Sequence, residues 1–240
     1  MSLRGKRVVV TRAPHQAHKL VNKLNAYGAI PVLYPCIAIA PTDDNTLVNA
    51  LTEDYDWTIL TSGNTVHALA LCSADVARFG KIAVVGKSTA RSLKRHFGVE
   101  ADVIPATQTA DALAQTLTLD AGARVFLPQS VLADDTLYTA LSAQGATVTH
   151  VDAYRTVIAE GGDDLPGMLA RGEIDALTFT SPSTADHLTT RLGFVPVDVP
   201  AACIGPVTAD AVEKHGYTTL ITPETYTLDA MLQALAGYWA

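Results

Sequence analysis

The sequence predicts an α/β fold made of two similar lobes, each a doubly wound parallel sheet with helices on both faces. Short β-rich runs alternate with helical stretches of ten to fifteen residues, from Arg7–Thr11 at the start to a last helix near Thr227–Leu235. Several segments also recur in one order at a nearly constant offset. We therefore expect an internal duplication with a cleft between its halves.

The repeat has a period of roughly 118 residues, which is the length of one small α/β unit. Four pairs of segments match at offsets of 117 to 119 residues: Asp56–Ser62 with Asp175–Ser181, Ala83–Ala90 with Ala202–Ala209, Pro105–Leu117 with Pro223–Leu235, and Arg7-Val8 plus Gly28-Ala29 with Arg124-Val125 plus Gly145-Ala146. Matches that keep their order and spacing indicate duplication of a structural unit.

The elements follow one another along the chain. The strand Arg7–Thr11 leads into a helix over Gln16–Tyr27 and a strand over Pro31–Tyr34. Two extended segments, Tyr34–Pro41 and His150–Val157, lie outside the repeated unit and suit strands that cross between lobes. Prolines are expected in the connections, where their missing N–H does least harm: Pro14, Pro105, Pro128, Pro166, Pro182, Pro206 and Pro223.

Composition narrows the classes of function. The 240 residues are 48% hydrophobic and 17% charged, which is sufficient for a core, and the net charge is −7 with no basic block, so we expect no nucleic-acid partner. No apolar stretch reaches the roughly 18 residues that span a bilayer, so we expect no membrane association. The sequence has three cysteines, Cys36, Cys72 and Cys203, and no CxxC pair. An odd number of widely spaced cysteines indicates free thiols, so we expect the protein to work in the reducing cytoplasm.

Familiar cofactor and metal motifs are incomplete. The segment Gly80–Ser88 resembles a phosphate loop, but its glycines are separated by five residues instead of four and enclose a plain strand, Ile82–Val85. Neither a GxGxxG after a strand nor a GxSxG elbow is present. His15 and His18 lie three apart on the first helix without a nearby carboxylate or cysteine, so we expect a solvated helix face and no metal.

Four strand ends carry polar residues that also open a helix: Thr61-Ser62-Gly63-Asn64, Gly86-Lys87-Ser88-Thr89, Thr180-Ser181-Pro182-Ser183 and Gly205-Pro206-Val207-Thr208. In open α/β sheets, ligands bind outside the carboxyl ends of the strands. Free N–H groups, helix dipoles and hydroxyls there hold anions without many basic side chains. Ordinary capping explains any one such site, whereas four sites around one cleft indicate a multiply anionic ligand.

Tyr154 lies in the second crossing segment. A tyrosine stays protonated at neutral pH and can donate a proton to a departing or developing oxyanion, as a weak general acid does. Taken on its own, the residue is better interpreted as a tyrosine that packs at an interface.

Together these residues resemble the uroporphyrinogen-III synthase family along essentially the whole chain. The resemblance rests on short motifs in a specific order: Val8–Arg12, Asp56-Trp57 leading to Thr61-Ser62, Val84–Gly86 with Thr89-Ala90, Val151–Thr156, Phe179–Ser183 and Ala202–Ala209. It implies two flavodoxin/Rossmann-like lobes joined by a two-stranded β ladder and exchanged in sequence. Residues 1–36 would join 156–240, residues 40–150 would form the other lobe, and 37–39 and 151–155 would be linker strands.

The resemblance also implies an activity. Members close hydroxymethylbilane, a linear tetrapyrrole with eight carboxylates, to uroporphyrinogen III with inversion of ring D, as cofactor-free cyclising lyases. Here Tyr154 matches the family's functional tyrosine, and we expect a cytoplasmic monomer. The expected substrate-binding residues are Arg12, Thr61, Ser62, Asn64, Gly86, Thr89, Ser181, Ser183, Gly205 and Thr208. The chain departs from the family after the strand Arg124–Leu127, where a turn at 128–135 lacks the family's Gly and Arg; contact from that turn and from Arg12 stays open.

Two other classes of function are compatible with the residues alone. One is a non-catalytic two-lobed module that closes on an anionic small molecule. The other is a nucleotide-using α/β transferase. Conversion of the bilane would indicate the synthase, and binding without conversion would indicate the module. Turnover that depends on ATP would indicate the transferase.

Overall fold

The computed structural model describes residues 2–43 and 45–240, which divide into two compact units. Unit 1 is formed by the chain up to Ala38 together with Val157–Ala240, and unit 2 by Ile39–Thr156. The chain leaves unit 1 within one strand and re-enters it within another. In the described part of the chain, no helix is both long and apolar enough to cross a membrane.

Strands and helices alternate along the chain as the sequence predicts. The strands are β1 (Arg7–Val10), β2 (Ile30–Leu33), β3 (Ile37–Pro41), β4 (Trp57–Leu60), β5 (Lys81–Val84), β6 (Arg124–Ser130), β7 (Thr147–Ile158), β8 (Ala176–Phe179), β9 (Ala201–Cys203) and β10 (Leu220–Ile221). The α-helices are α1 (Pro14–Ala26), α2 (Asn45–Ala50), α3 (Gly63–Leu71), α4 (Lys87–Phe97), α5 (Ala110–Thr116), α6 (Thr136–Ala143), α7 (Leu165–Ala170), α8 (Pro182–Leu192), α9 (Pro206–Lys214) and α10 (Leu228–Tyr238). A 3₁₀ turn covers Val76–Phe79.

The sheet of unit 1 has the order β10-β9-β8-β1-β2, and its neighbouring strands are parallel. Alternate residues of β1 face opposite sides, because successive side chains of a strand point in opposite directions. Val8 and Val10 pack with α1 and α10, whereas Val9 packs with residues of α7, α8 and α9. Helices therefore cover both faces, as expected for buried parallel strands.

The sheet of unit 2 has the order β3-β7-β6-β4-β5, with parallel pairing from β7 through β5. Phe126 packs on the face that carries α2, α3 and α4, and Val125 packs on the face that carries α5 and α6. The predicted α/β class with parallel, doubly covered sheets is confirmed in both units.

Contrary to the sequence-based expectation that they lie in connections, Pro14, Pro166, Pro182 and Pro206 lie in the first turn of a helix. Pro128 does not lie in a connection either. It is buried within β6, which continues to Ser130 and shortens the expected turn at 128–135. The pairing between β6 and β4 is recorded only up to Phe126, while pairing with β7 continues through Ser130. Beyond Phe126 the strand has a neighbour on one side, where proline is tolerated.

Candidate functional site

In unit 1 the strand order places the starts of α1, α8 and α9 at one edge of the sheet. Strand β1 lies beside β8, and the chain runs outward from this pair in both directions, to β2 on one side and to β9 and β10 on the other. Ligands of open α/β sheets bind at such a switch point, outside the carboxyl ends of the strands. Arg12 follows β1, Ser181 follows β8, and Gly205 follows β9 at this edge.

Arg12 brings a positive charge to this edge. Its Nη2 donates to Oε1 of Gln16 at 3.0 Å, while its Nε is buried and has no hydrogen-bond partner among the described residues. Burial lowers the pKa of the guanidinium, because a charged group is poorly solvated there. The residue as a whole is half-buried, and a guanidinium that is partly exposed at a sheet edge is suited to receive a carboxylate.

The start of α8 carries two hydroxyls that pair with each other. Ser181 is the residue before the helix, but its side chain does not accept a hydrogen bond from the helix amides; its Oγ lies 3.1 Å from Oγ of Ser183. The Ser181 carbonyl accepts from Oγ1 of Thr184 at 2.6 Å. Capping therefore does not use the Ser181 hydroxyl, and the pair remains available to an anion at a helix start.

Helix α9 starts at the next strand end, β9. Gly205 precedes the helix and is covered by the ring of Tyr226, which would lie 3.1 Å from an added Cβ. Pro206 occupies the first turn and supplies no N–H. Thr208 is only 4% exposed, so a ligand at this helix start would meet little of its side chain.

In unit 2 the switch point lies between β4 and β6, and Thr61, Ser62 and Asn64 follow β4. Here the capping interpretation holds in part, because Oγ of Ser62 accepts from the backbone N–H of Asn64 at 3.1 Å. Thr61 is half-buried at the end of the strand. Near the end of β6, Gln129 is 5% exposed and its Oε1 is buried without a partner among the described residues.

Helix α4 follows β5, and Gly86 is the residue before its first turn. The backbone N–H of Lys87 donates to Oε1 of Gln108 at 2.9 Å, so a neutral carboxamide already occupies this helix start. That oxygen would lie 2.6 Å from a Cβ at position 86, so any larger residue there would displace the end of the Gln108 side chain from the helix start. Thr89, like its counterpart Thr208, is nearly buried, at 3% exposed.

A β-bulge positions Tyr154. In the register of β6 with β7, Gln129 is opposite Asp152 and Ser130 is opposite Tyr154, so Ala153 is an extra residue. Bulges re-aim a side chain locally. Ala153 and Tyr154 accordingly join the same core cluster of unit 2, and Tyr154 is 6% exposed. The phenol ring is therefore packed against the core near the carboxyl edge of the sheet.

Comparison with known proteins identifies the family. The family model described as uroporphyrinogen-III synthase HemD matches residues 18–233. The chain belongs to the uroporphyrinogen-III synthase family. This family acts in tetrapyrrole biosynthesis on the small molecule hydroxymethylbilane. All the expected site residues except Arg12 lie within the matched range.

Relatives of the family cover nearly the whole chain. A protein of Methanothermobacter thermautotrophicus, provisionally named a uroporphyrinogen-III synthase, is 33% identical over 95% of this chain and 97% of its own length. The uroporphyrinogen-III synthase of Chlorobaculum parvum is 30% identical over 96% of this chain and 98% of its own. A crystal structure of uroporphyrinogen-III synthetase from Helicobacter pylori shares the fold, with a TM-score of 0.61, 17% identity and coverage of 98% and 100%.

The structure thus groups the family's expected residues at two sheet edges, one in each unit. Arg12, Ser181, Ser183, Gly205 and Thr208 share the edge of unit 1. The edge of unit 2 carries Thr61, Ser62, Asn64, Gly86, Thr89 and Tyr154. Within the described ranges, no group of three His, Cys, Asp or Glu side chains is close enough to hold a metal ion.

Sequence reasoning missed two glutamines at the edge of unit 2. Gln129 lies 117 residues after Arg12 in the repeat, so the two residues occupy matching positions beside the two switch points. Gln108 lies 118 residues before Tyr226 and, like it, covers the glycine that precedes a helix. Completing the alignment of the two repeats residue by residue would have indicated both positions.

Proposed function

We propose that the protein is a cyclising hydro-lyase that converts hydroxymethylbilane to uroporphyrinogen III, with inversion of ring D and loss of one water, and that no cofactor takes part. Membership of the family over nearly the whole chain is the observation that carries this proposal. The substrate is flexible and bears eight carboxylates, and left free it closes to the type I isomer. The protein's main task is therefore to hold one folded conformation.

The two sheet edges would bind the carboxylates. In unit 1, the guanidinium of Arg12 and the Ser181–Ser183 hydroxyl pair offer charged and neutral donors. In unit 2, the start of α3 offers backbone N–H groups and the Thr61 and Ser62 hydroxyls, whereas Gln108 occupies the first amide of α4. The predominance of neutral donors suits a ligand that must be held in shape and then released, because each hydrogen bond to a carboxylate contributes modestly.

Tyr154 would assist the departure of the substrate's terminal hydroxyl. The phenol O–H donates its proton to the leaving oxygen, which departs as water with the electron pair of the broken C–O bond. The bilane is left as a protonated azafulvene-like electrophile beside the phenolate, which takes back a proton once ring closure has regenerated the pyrroles. Attack by the already substituted carbon of ring D gives a spiro intermediate that rearranges to the type III isomer. The bulge at Ala153 supports this role, because it holds the tyrosine in one orientation.

We further propose that units 1 and 2 are the two lobes of the family and that the protein works as a monomer in the cytoplasm. Cys36, Cys72 and Cys203 are free thiols, and Cys36 and Cys203 are fully buried. Unpaired cysteines are typical of a reducing compartment.

An isomer-resolved assay tests the proposal. Freshly generated hydroxymethylbilane is incubated with the protein, with heat-unfolded protein, or with buffer, and the type I and type III products are separated after oxidation. We expect the type III isomer to predominate only with folded protein, at a rate proportional to its concentration. A type III fraction equal to that in buffer would refute the activity, and tight binding without conversion would indicate a binding module instead.

A further inference from the structure

Arg191, in the last turn of α8, joins two backbone segments that are distant in sequence. Its Nη1 donates to the carbonyl oxygen of Pro35, and its Nη2 donates to the carbonyl oxygen of Gly161 at 3.0 Å. Its guanidinium carbon lies 3.8 Å from the ring centroid of Tyr34, which is buried. Pro35 precedes β3 and Gly161 follows β7, so one side chain holds the chain both where it leaves unit 1 and where it returns.

The same two segments, 33–36 and 159–163, are also fastened to each other; we call them the root segments. The backbone N–H of Leu33 donates to Oδ2 of Asp163 at 2.6 Å, and the backbone N–H of Asp163 donates to the Leu33 carbonyl at 2.6 Å. Ala159 donates through its backbone N–H to the carbonyl of Cys36 at 3.1 Å. The root segments and Arg191 thus form one connected hydrogen-bonded network.

The contact set requires an arginine. A guanidinium is planar and presents several N–H donors in a fixed fork, so it can serve two carbonyls while its face rests on an aromatic ring. A lysine ammonium is a point charge without such a plane. In the repeat, the position that matches Arg191 is Cys72, at the end of α3, so a helix at this place in the fold does not itself need an arginine.

Helix α8 connects this network to the edge of unit 1. The helix starts directly after Ser181, whose hydroxyl pairs with that of Ser183, and Arg191 is ten residues further along, about 15 Å at 1.5 Å per residue. Thr184, Ala185 and Leu188 are buried and hold the helix on its sheet. Helix α8 therefore connects the root segments to the Ser181–Ser183 hydroxyl pair and restrains movement of one relative to the other.

We propose that Arg191 is a positioning residue for the cyclisation. It fixes the directions in which β3 and β7 leave unit 1 relative to the donors at the start of α8. Because those two strands carry the chain between the units, loosening their roots lets a bound bilane adopt more than one fold, which slows closure to the type III isomer. Binding at α8 itself is retained. The inference rests on the proposed function.

Two variants and one control test it. Arg191→Met keeps an apolar stem without donors, Arg191→Lys keeps the charge without the fork, and Lys214→Met removes an exposed positive charge from the last residue of another helix of unit 1. For Arg191→Met we expect kcat for the type III isomer to fall about tenfold with KM within about twofold of wild type. Amide hydrogen exchange in the root segments should rise about tenfold. Arg191→Lys should lie between, and Lys214→Met should match wild type.

The outcomes separate positioning from a merely structural role. A structural role would lower Tm and the folded fraction but leave kcat per folded molecule unchanged. Faster exchange of the root segments at unchanged kcat, or an Arg191→Lys variant equal to wild type, would overturn the inference. If wild type itself forms no type III isomer above the buffer level, the proposed function fails first, and the exchange data still report whether Arg191 fastens the root segments.

Discussion

The backbone N–H of Lys87, at the start of α4, donates to the side-chain oxygen of Gln108 at 2.9 Å, in the position that an external carboxylate would take. In unit 1, the residues at the two matching positions of the repeat are different. Pro206 replaces Lys87 and has no N–H, and Tyr226 replaces Gln108 and has no amide oxygen. The glutamine therefore acts as an internal substitute for an anion at one helix start only.

This relationship predicts opposite effects for two substitutions at position 108. Gln108→Glu places an ionised carboxylate on the α4 amide, which competes with the substrate, and we expect KM to rise about tenfold with little change in kcat. Gln108→Ala frees the amide, so KM should stay equal or fall. Gln115→Glu, an equal charge change on the exposed face of α5, is the control. Steady-state kinetics with the isomer-resolved assay measures both constants, and equal KM values for the three variants would contradict the competition.

Removing the Tyr154 hydroxyl should affect the chemical step more than folding. Because the ring is packed in the core of unit 2, Tyr154→Phe retains its contacts, and we expect Tm to change by no more than a few degrees. Loss of the proton donor should lower kcat about 10²-fold with KM nearly unchanged. Tyr138→Phe, which removes a hydroxyl from a half-exposed ring on α6, serves as the control. Unchanged turnover in Tyr154→Phe would remove the assigned role.

The local pattern was sufficient to predict much of this fold. Alternation of apolar runs and helical stretches, together with the repeat, predicts both parallel sheets, and helices do start after Ser62, Gly86, Ser181 and Gly205 as expected. The bulge at Ala153 was not predictable, because an extra residue is defined only by pairing with another strand.

Other features also depend on partners distant in sequence. Pro128 falls within β6 because of where the pairing with β4 ends, which no local pattern records. The contacts of Gln108 with Lys87 and of Arg191 with Pro35 join residues 21 and 156 positions apart. Polar residues in such positions have no sequence signature of their own, so they became visible only in the folded chain.

Two glycines of unit 2 allow steric clash to be separated from backbone strain. Gly80 and Gly98 both have positive φ, +59° and +75°, but a Cβ at Gly80 would lie 2.3 Å from the carbonyl oxygen of Tyr55, whereas one at Gly98 would meet nothing within 4 Å. We expect Gly98→Ala to cost about 1 kcal/mol and Gly80→Ala about 3 kcal/mol or more. Urea denaturation measures both free energies of unfolding, and equal losses would show that the chain relaxes around position 80.

Buried thiols should make stability fall at alkaline pH. Burial raises the pKa of Cys36 and of Cys203 to about 12, although Arg191 opposes the shift at Cys36. Between an unfolded pKa near 9 and the folded value, the unfolded thiol releases its proton and the folded thiol keeps it, so the free energy of unfolding decreases as pH rises. Each thiol contributes up to about 1.4 kcal/mol per pH unit in that range. Urea denaturation of the reduced protein between pH 8 and 11 should therefore show a negative slope, and Cys203→Ala should reduce it; an unaltered slope would refute the assignment to the thiols.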